Sequence, residues 1–570
     1  MKPASKKVLG NESLDQFDVI VIGSGAGGGP VIDLLTRHGK KVLVLEAGAN
    51  HFDNLDDGSS AIVPRFSNDE VKLMSRGFIA QDPLVEPRTF RPREDSGERT
   101  FTGDVNNLPR TVGGGAVHAD LKMPRFAPDD FRLGTLLGDS FPGTSFADWP
   151  VDYDMLEPYY AWCERVLGVS GKRGSDPFAG PMKDEYPMPP GNPMYCVSKV
   201  EDGAKQLGIT VFPYPSAINS RPYDGRPACV DCGFCSGYGC PSNAKGSTAV
   251  TMLRRALVSG RCQLRSETRV VKLITSAGGK HIDGVECIGP KGERVTYRAD
   301  AYVLAASPIE DARLLMLSGD IGNSSGMVGR NLTFHFQTVT IGIFEERIHA
   351  HRGRAVSHGF SDFRGVPKDP NRPLGGIVEI SGTAGALEES TFYTRILRQF
   401  PRPFDGMMLK RLMQQSPGRD RLIALVMQAE DAPQMKNRVD LDPSVVDLDG
   451  LPVPRVTFEN HKFELDARDF YAPKMIDLLG KSGAKYAFLA PADEISTSAH
   501  VMGTLRSGND PKTSVTNANG RFHDIDNLYA SDGALFPTSS GFNPTHTICA
   551  LATRVAAAML FPESPERALI

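Results

Sequence analysis

Two short stretches concentrate residue types that can do chemistry. In ACVDCGFCSGYGCPSNAKGS, residues 228 to 247, four of the nine cysteines fall at Cys229, Cys232, Cys235 and Cys240. The spacing, C-x2-C-x2-C-x4-C followed by proline, is one residue longer than a run with which bacterial ferredoxins hold an iron–sulfur cluster. Zinc also takes C-x2-C pairs, but normally two well-separated ones, and disulfides would imply an oxidising compartment. Gly233, Gly237, Gly239 and Pro241 describe instead a tightly turning loop, in which cysteine packs as a small apolar group. The composition favours packed thiols; an iron–sulfur cluster stays open but is not favoured, and no metal ligand is assigned.

The second stretch is the loop GSGAGG, where Gly23, Gly25 and Gly28 form G-x-G-x-x-G. The first glycine permits a tight turn, the second lets a backbone approach a pyrophosphate, and the third allows close helix–sheet packing. A helix starting there offers unpaired N–H groups and a positive dipole end to the anion. Glu46 follows about two dozen residues on, where an acid accepts hydrogen bonds from an adenosine ribose. This pattern does not separate NAD from FAD.

The elements around that loop supply its context. A β-branched run at Asp18 to Ile22 precedes the glycines, an amphipathic stretch follows, and a second run, Val42 to Leu45, ends at Glu46. Strand, turn, helix and strand in this order predict a right-handed parallel βαβ unit. Further on, a helix is expected to stop near Gly168, short strands alternate with turns over 261–306, and a helix covers about Ile309 to Leu317. Residues 336 to 489 differ in character, with strand-like runs and helical patterns at about Phe392 to Gln415 and Asp466 to Lys481. The expected fold class is α/β: a Rossmann-like domain with a parallel sheet, and a second domain built on a mostly antiparallel sheet with helices. Its expected segments are 16–135, with a polar excursion outside the core at 51–104, then 136–225 as a cap, 226–335 with the cysteine run, 336–489 as the substrate-binding domain, and 490–570.

A chain of 570 residues is long enough for two or more domains. With 40% hydrophobic and 23% charged residues and a net charge of -4, it has the composition of an ordinary globular protein without the basic excess of a nucleic-acid binder. The lead MKPASKKVLGNESLDQFDVI has no signal-type apolar core. No run of about 18 apolar residues occurs, so no spanning helix is expected. The expectation is a cytoplasmic protein, with export by a partner subunit left open.

Three further segments, RTVGGGAVHADLKMPRF, VLAASPIEDARLLMLSG with VGRNL, and SAHVMGTLRSG with NLYASDGALFPTSSGFNPTHTICALATR, resemble the glucose–methanol–choline (GMC) oxidoreductases. The match runs from about Phe17 to about Met559. The resemblance implies FAD as cofactor, held by Gly23, Gly25, Gly28, Glu46, Gly113 and Gly114, with Asp532 near the ribityl chain or capping a turn before Gly533. It implies His500, in HVMGT, as the base that takes an alcohol's proton while hydride leaves for the flavin, and Asn543, in NPTHTI, as the amide that holds the same oxygen. His546 competes with Asn543 for the second role. His118 follows the paired glycines at the spacing of family members with histidine-linked flavin, so it either bonds FAD covalently or lines the isoalloxazine pocket.

The middle segment resembles the sugar- and polyol-oxidising bacterial branch, gluconate dehydrogenase-like and pyranose oxidase-like. The implied substrate is a sugar, glycoside or polyol; the alternatives are an aromatic or other primary alcohol, a non-redox lyase, or an electron-relay flavoprotein subunit. Oxygen, a quinone or a redox protein would take the electrons, leaving oxidase and dehydrogenase both open.

Overall fold

The computed structural model describes residues 16–66, 82–106, 108–382, 394, 405–415, 417–492, 495–496 and 498–570. The strands Phe17–Ile22 and Val42–Leu45 flank the helix Gly28–Arg37, as the β-branched runs and the amphipathic stretch between them require. They belong to a five-stranded sheet ordered Leu528–Ala530, Ala299–Leu304, Phe17–Ile22, Val42–Leu45, Cys262–Arg265, with every neighbouring pair parallel. Side chains alternate across it. Val19, Val21, Val42 and Val44 enter one core with the Gly28–Arg37 and Thr545–Leu560 helices. Ile20, Ile22, Leu43 and Leu45 enter another with the Pro308–Leu317 helix and an antiparallel three-stranded sheet spanning Arg269 to Tyr297. Burial on both faces explains why these strands read as continuous apolar runs.

The second large sheet is antiparallel throughout, ordered Tyr486–Leu489, Phe336–Ile343, Leu422–Ala429, Gly376–Ser381, His358–Phe360, Phe212–Pro213. One face, with Val378, Ile380, Leu425 and Met427, packs on the helices Tyr195–Leu207 and Lys462–Lys481. The opposite face presents Gln337, Val339, Glu379, Ser381, Val426 and Gln428 to a cavity. The strand period of two therefore gives this sheet an apolar back and a front on which polar side chains stand among Val339, Ile377 and Val426.

A third sheet joins the parts: Met502–Thr504, Arg330–Thr333, Arg438–Val446, Pro452–Thr457, Arg88–Arg91, Phe101–Gly103. Its Arg88–Arg91 strand corrects the reading of 51–104 as an excursion outside the core, because all four residues are buried. Polarity hid this strand. Arg88 pairs with Glu310 at 2.8 Å, Thr89 donates to Asp442, and Arg91 donates to Thr457, so each of the three buried polar side chains has a polar partner.

The helix ending near Gly168 spans Tyr153–Leu167, with Gly168 left-handed at φ 75°. Of the helix expected over 392–415, Gly406–Gln415 is helical, and nearly all of 392–404 lies outside the described residues, as does the lead at 1–15. Among the described residues no helix is long and apolar enough to cross a membrane.

Candidate active site

The glycine loop sits at the carboxyl end of the parallel sheet, where such sheets bind ligands. Gly23 has φ 101°, and a Cβ there would meet Ala305 O at 2.3 Å; a Cβ on Gly28 would meet Gly23 O at 2.0 Å. Gly25 differs, since an added Cβ meets only Gly114 Cα, at 3.6 Å. Two glycines thus close the turn, and the middle one meets only the neighbouring glycine turn, at ordinary contact distance. The Gly113–Gly114 turn, with φ 89° and 56°, packs against it, and Gly113 N–H donates to Ser24 Oγ at 2.8 Å.

Glu46 is buried and accepts from Ser24 N–H at 3.1 Å, Ser24 Oγ at 2.7 Å and Gly48 N–H at 2.8 Å. Burial pushes its carboxyl up against these bonds. Asp532 lies against Gly27, whose added Cβ would stand 2.5 Å from its Cβ. Its carboxylate accepts from Ser307 N–H at 2.8 Å and Ala534 N–H at 2.9 Å, the second bond capping the Gly533–Leu535 turn. Asp532 is therefore both a cap and a wall of the glycine loop. The loop's uncrowded middle glycine, the helix N-terminus behind it and the acid after the second strand fit an adenine dinucleotide such as FAD.

His118 is buried at the end of the Gly114–Val117 turn, its ring edge-on to Phe66 at 6.1 Å. The cysteine loop lies across it. Gly237 N–H donates to His118 O at 2.8 Å, and buried Lys245 donates to Ala119 O, Cys235 O and Tyr238 O at 2.8, 3.0 and 2.8 Å. All nine cysteines are free thiols, with Cys235 buried and Cys232 exposed. Among the described residues no three cysteine sulfurs lie within 4.8 Å of one another, the closeness a single zinc ion needs.

His500 and Asn543 meet on the wall of a cavity of about 330 Å³, formed between the front of the antiparallel sheet, the 119–122 segment and the cysteine loop. His500 Nε2 stands 3.5 Å from Asn543 Nδ2. On the far side of the ring, His500 Nδ1 stands 2.9 Å from His335 Nδ1. His335 is fully buried, and its Nε2 faces Ser539 O at 3.2 Å. A carbonyl oxygen only accepts, so His335 Nε2 carries the proton and its Nδ1 is the acceptor. His500 Nδ1 then donates, and its Nε2 lone pair points at Asn543. Burial lowers His335 to about 4, and burial with His335 and Lys122 nearby lowers His500 well below its ordinary 6.5. Both rings are neutral at pH 7.

Asn543 is oriented by two further side chains. Tyr214 donates its hydroxyl to Asn543 Oδ1, and Asn543 Nδ2 donates to Glu379 Oε1 at 3.0 Å. Burial, with Glu379 nearby, holds the Tyr214 hydroxyl well above its ordinary pKa and so protonated. Lys122 anchors Glu379 at 2.6 Å and Asp120 at 3.1 Å. Burial works against its charge, but the two carboxylates outweigh it and hold Lys122 above its ordinary pKa.

His546 is absent from this constellation. It is fully buried with its nitrogens facing Met123 O at 3.0 Å and Tyr160 O at 3.2 Å, and burial lowers it to about 3. Lys122, Tyr214, His335 and Glu379 escaped sequence reasoning because they come from separate segments and carry no shared motif.

Residues 186–337 and 433–552 match the two family models for the GMC oxidoreductases. The chain is 30% identical to 2-methyl-1,2-propanediol dehydrogenase of Mycolicibacterium austroafricanum, over 95% of each chain. It is 29% identical to 6'''-hydroxyparomomycin C oxidase of Streptomyces lividus, over 99% of this chain and 95% of that one. Among solved structures, pyridoxine 4-oxidase from Mesorbium loti shares the fold with a TM-score of 0.61 at 17% identity, covering 95% of this chain and 98% of the other. Sequence and fold agree over nearly the whole length: the chain belongs to the GMC oxidoreductase family, enzymes that use FAD to oxidise CH–OH donors.

Proposed function

We propose that this enzyme oxidises a CH–OH group of a sugar, glycoside or polyol, with His500 Nε2 as the base and Asn543 Nδ2 as the donor to the reacting oxygen. The observation that carries this reading is the pairing of His500 Nδ1 with His335, which leaves a neutral Nε2 facing the cavity side at Asn543. FAD, bound along the glycine loop and Glu46, supplies the hydride acceptor. His500 Nε2 takes the hydroxyl proton, and the Nδ1–H bond to His335 holds the resulting imidazolium in place. Asn543 gives one N–H to Glu379, and the other, which faces His500 Nε2 at 3.5 Å, would turn to the oxygen as it gains charge.

The lining favours a polar substrate. Among the described residues no Phe, Tyr or Trp lines the cavity, whereas Asp120, Lys122, Gln337, Glu379 and Gln428 do. Several hydroxyls would find hydrogen-bond partners among these groups. The named relatives that act on a diol and on an aminoglycoside are in keeping with this.

Gly23, Gly25, Gly28, Glu46, Gly113, Gly114 and Asp532 are the proposed cofactor-binding residues, and His118 the residue beside the isoalloxazine. The test is an anaerobic screen of sugars, glycosides, polyols and aromatic alcohols, scored by flavin bleaching. Bleaching by a polyhydroxylated substrate supports the reading, and bleaching confined to aromatic alcohols overturns it. Admitting air then separates oxygen from a quinone or a redox protein as acceptor by the speed at which the colour returns.

A further inference from the structure

The cysteine run raises a metal question that the structure answers at a neighbouring place. Cys232 pairs by a β-bridge with Gly353, and a Cβ on Gly233 would meet His351 O at 2.5 Å, so the cysteine loop packs directly on the segment IHAHRG. In that segment His349 and His351 converge on Asp420. His349 Nδ1 stands 3.5 Å and His351 Nδ1 3.9 Å from Asp420 Oδ1. One ligand atom from each of the three lies within 4.8 Å of the others. We propose that His349, His351 and Asp420 form a binding site for a divalent transition-metal ion of the zinc class, on the wall of the substrate cavity.

Donors around a tetrahedral ion with bonds near 2.0–2.1 Å lie about 3.4 Å apart. The two nitrogen–carboxylate distances already approach that spacing. Among the described residues His349 Nδ1 is buried without a hydrogen-bond partner, and it faces the same carboxylate oxygen. The donors are also held by backbone. His349 N–H donates to Asp420 O at 2.9 Å, joined there by Ile348 N–H, so the turn carrying both imidazoles is tied to the residue carrying the acid. Arg347 Nε lies 3.7 Å from Asp420 Oδ2, which leaves Oδ1 to the ion. Arg419 O, 2.9 Å from His351 Nδ1, accepts that nitrogen's proton in the metal-free protein, and the ion would displace the proton to take the Nδ1 lone pair.

Two imidazoles and one carboxylate, with His351 itself lining the cavity, leave a coordination position for a water or a hydroxyl of a bound molecule. The site lies outside the His500 and Asn543 pair and does not depend on the assignment of either.

The test is calorimetric titration of zinc chloride into the flavin-loaded protein after dialysis against dipicolinate. The expected result is one ion per chain at micromolar affinity or tighter, weakened more than about tenfold in His349→Ala and in the isosteric Asp420→Asn, with flavin content and metal-free Tm unchanged. A Cys229→Ser, Cys232→Ser double variant is expected to keep full affinity. Binding well below one ion per chain, affinity unchanged in Asp420→Asn, or loss only in the cysteine variant would overturn the proposal. Cobalt(II) gives a second readout: visible ligand-field bands in the wild type and none in Asp420→Asn support the site, and equal bands in both contradict it.

Discussion

His335 Nδ1 accepts the Nδ1–H of His500 at 2.9 Å, and this bond decides which nitrogen of His500 is free to act. Because His335 Nε2 is committed to Ser539 O, the pair has a single proton between its facing nitrogens. The dyad fixes a tautomer much as a buried carboxylate does in hydrolytic triads.

Removing His335 frees the His500 ring to adopt either tautomer. His335→Ala is expected to lower the anaerobic flavin-reduction rate by roughly 10- to 100-fold, a fraction of what a wrong tautomer costs a hydrolase. Substrate KM should change little. Stopped-flow reduction of the two proteins side by side checks this.

The Asn543 amide depends on Glu379 and Tyr214 for its orientation. Asn543→Ala should slow flavin reduction by about 100-fold, the usual loss for one donor to a developing oxyanion. Glu379→Gln should cost less, since it weakens the orientation without removing the donor, and comparison of kcat with KM for both variants measures the difference.

How much of this could be read from the sequence differs by element. The glycine loop and Glu46 were legible because turn, strand and helix lie in one contiguous stretch. His500 and Asn543 lie 43 positions apart and were legible only through a resemblance between motifs. His335, Tyr214, Glu379 and Lys122 were hidden, because a tertiary fold brings them together and no local pattern distinguishes them. The Arg88–Arg91 strand was hidden for the opposite reason: its polar residues signal surface, and only their distant partners Glu310, Asp442 and Thr457 make burial affordable.

The pH dependence follows from the direction of the His500 shift. Burial, His335 and Lys122 lower its pKa well below 6.5. A lowered pKa keeps the base unprotonated further into acid, so the flavin-reduction rate should rise with pH only below 6.5 and stay flat from about pH 7 to 9. A profile still rising above pH 7.5 under saturating substrate would contradict the neutral dyad. Stopped-flow rates across that range provide the check.

Glu430 supports the loop that carries Ser539. Its Oε1 accepts from Ser539 N–H at 3.1 Å, Ser539 Oγ at 2.9 Å and Ser540 N–H at 2.8 Å. Burial, with Asp130 nearby, raises its carboxyl from 4.5 to about 8. The folded state therefore holds a proton that the unfolded state releases above its ordinary pKa, so stability is greatest below pH 4.5 for this group and falls as pH rises to about 8. Glu430→Gln keeps an accepting oxygen without the titration, and its Tm should decline less than that of the wild type between pH 5 and 8 in thermal melts.

The central claim is that His500 Nε2 removes the substrate proton. The most direct measurement is the anaerobic rate of flavin reduction in His500→Ala and His500→Gln, with a substrate that bleaches the wild type and with FAD content verified in each protein. The account predicts a loss of about 10²- to 10⁴-fold, the range of general-base catalysis, with the flavin still bound. A variant that keeps its flavin and reduces it within a few-fold of the wild-type rate would contradict it.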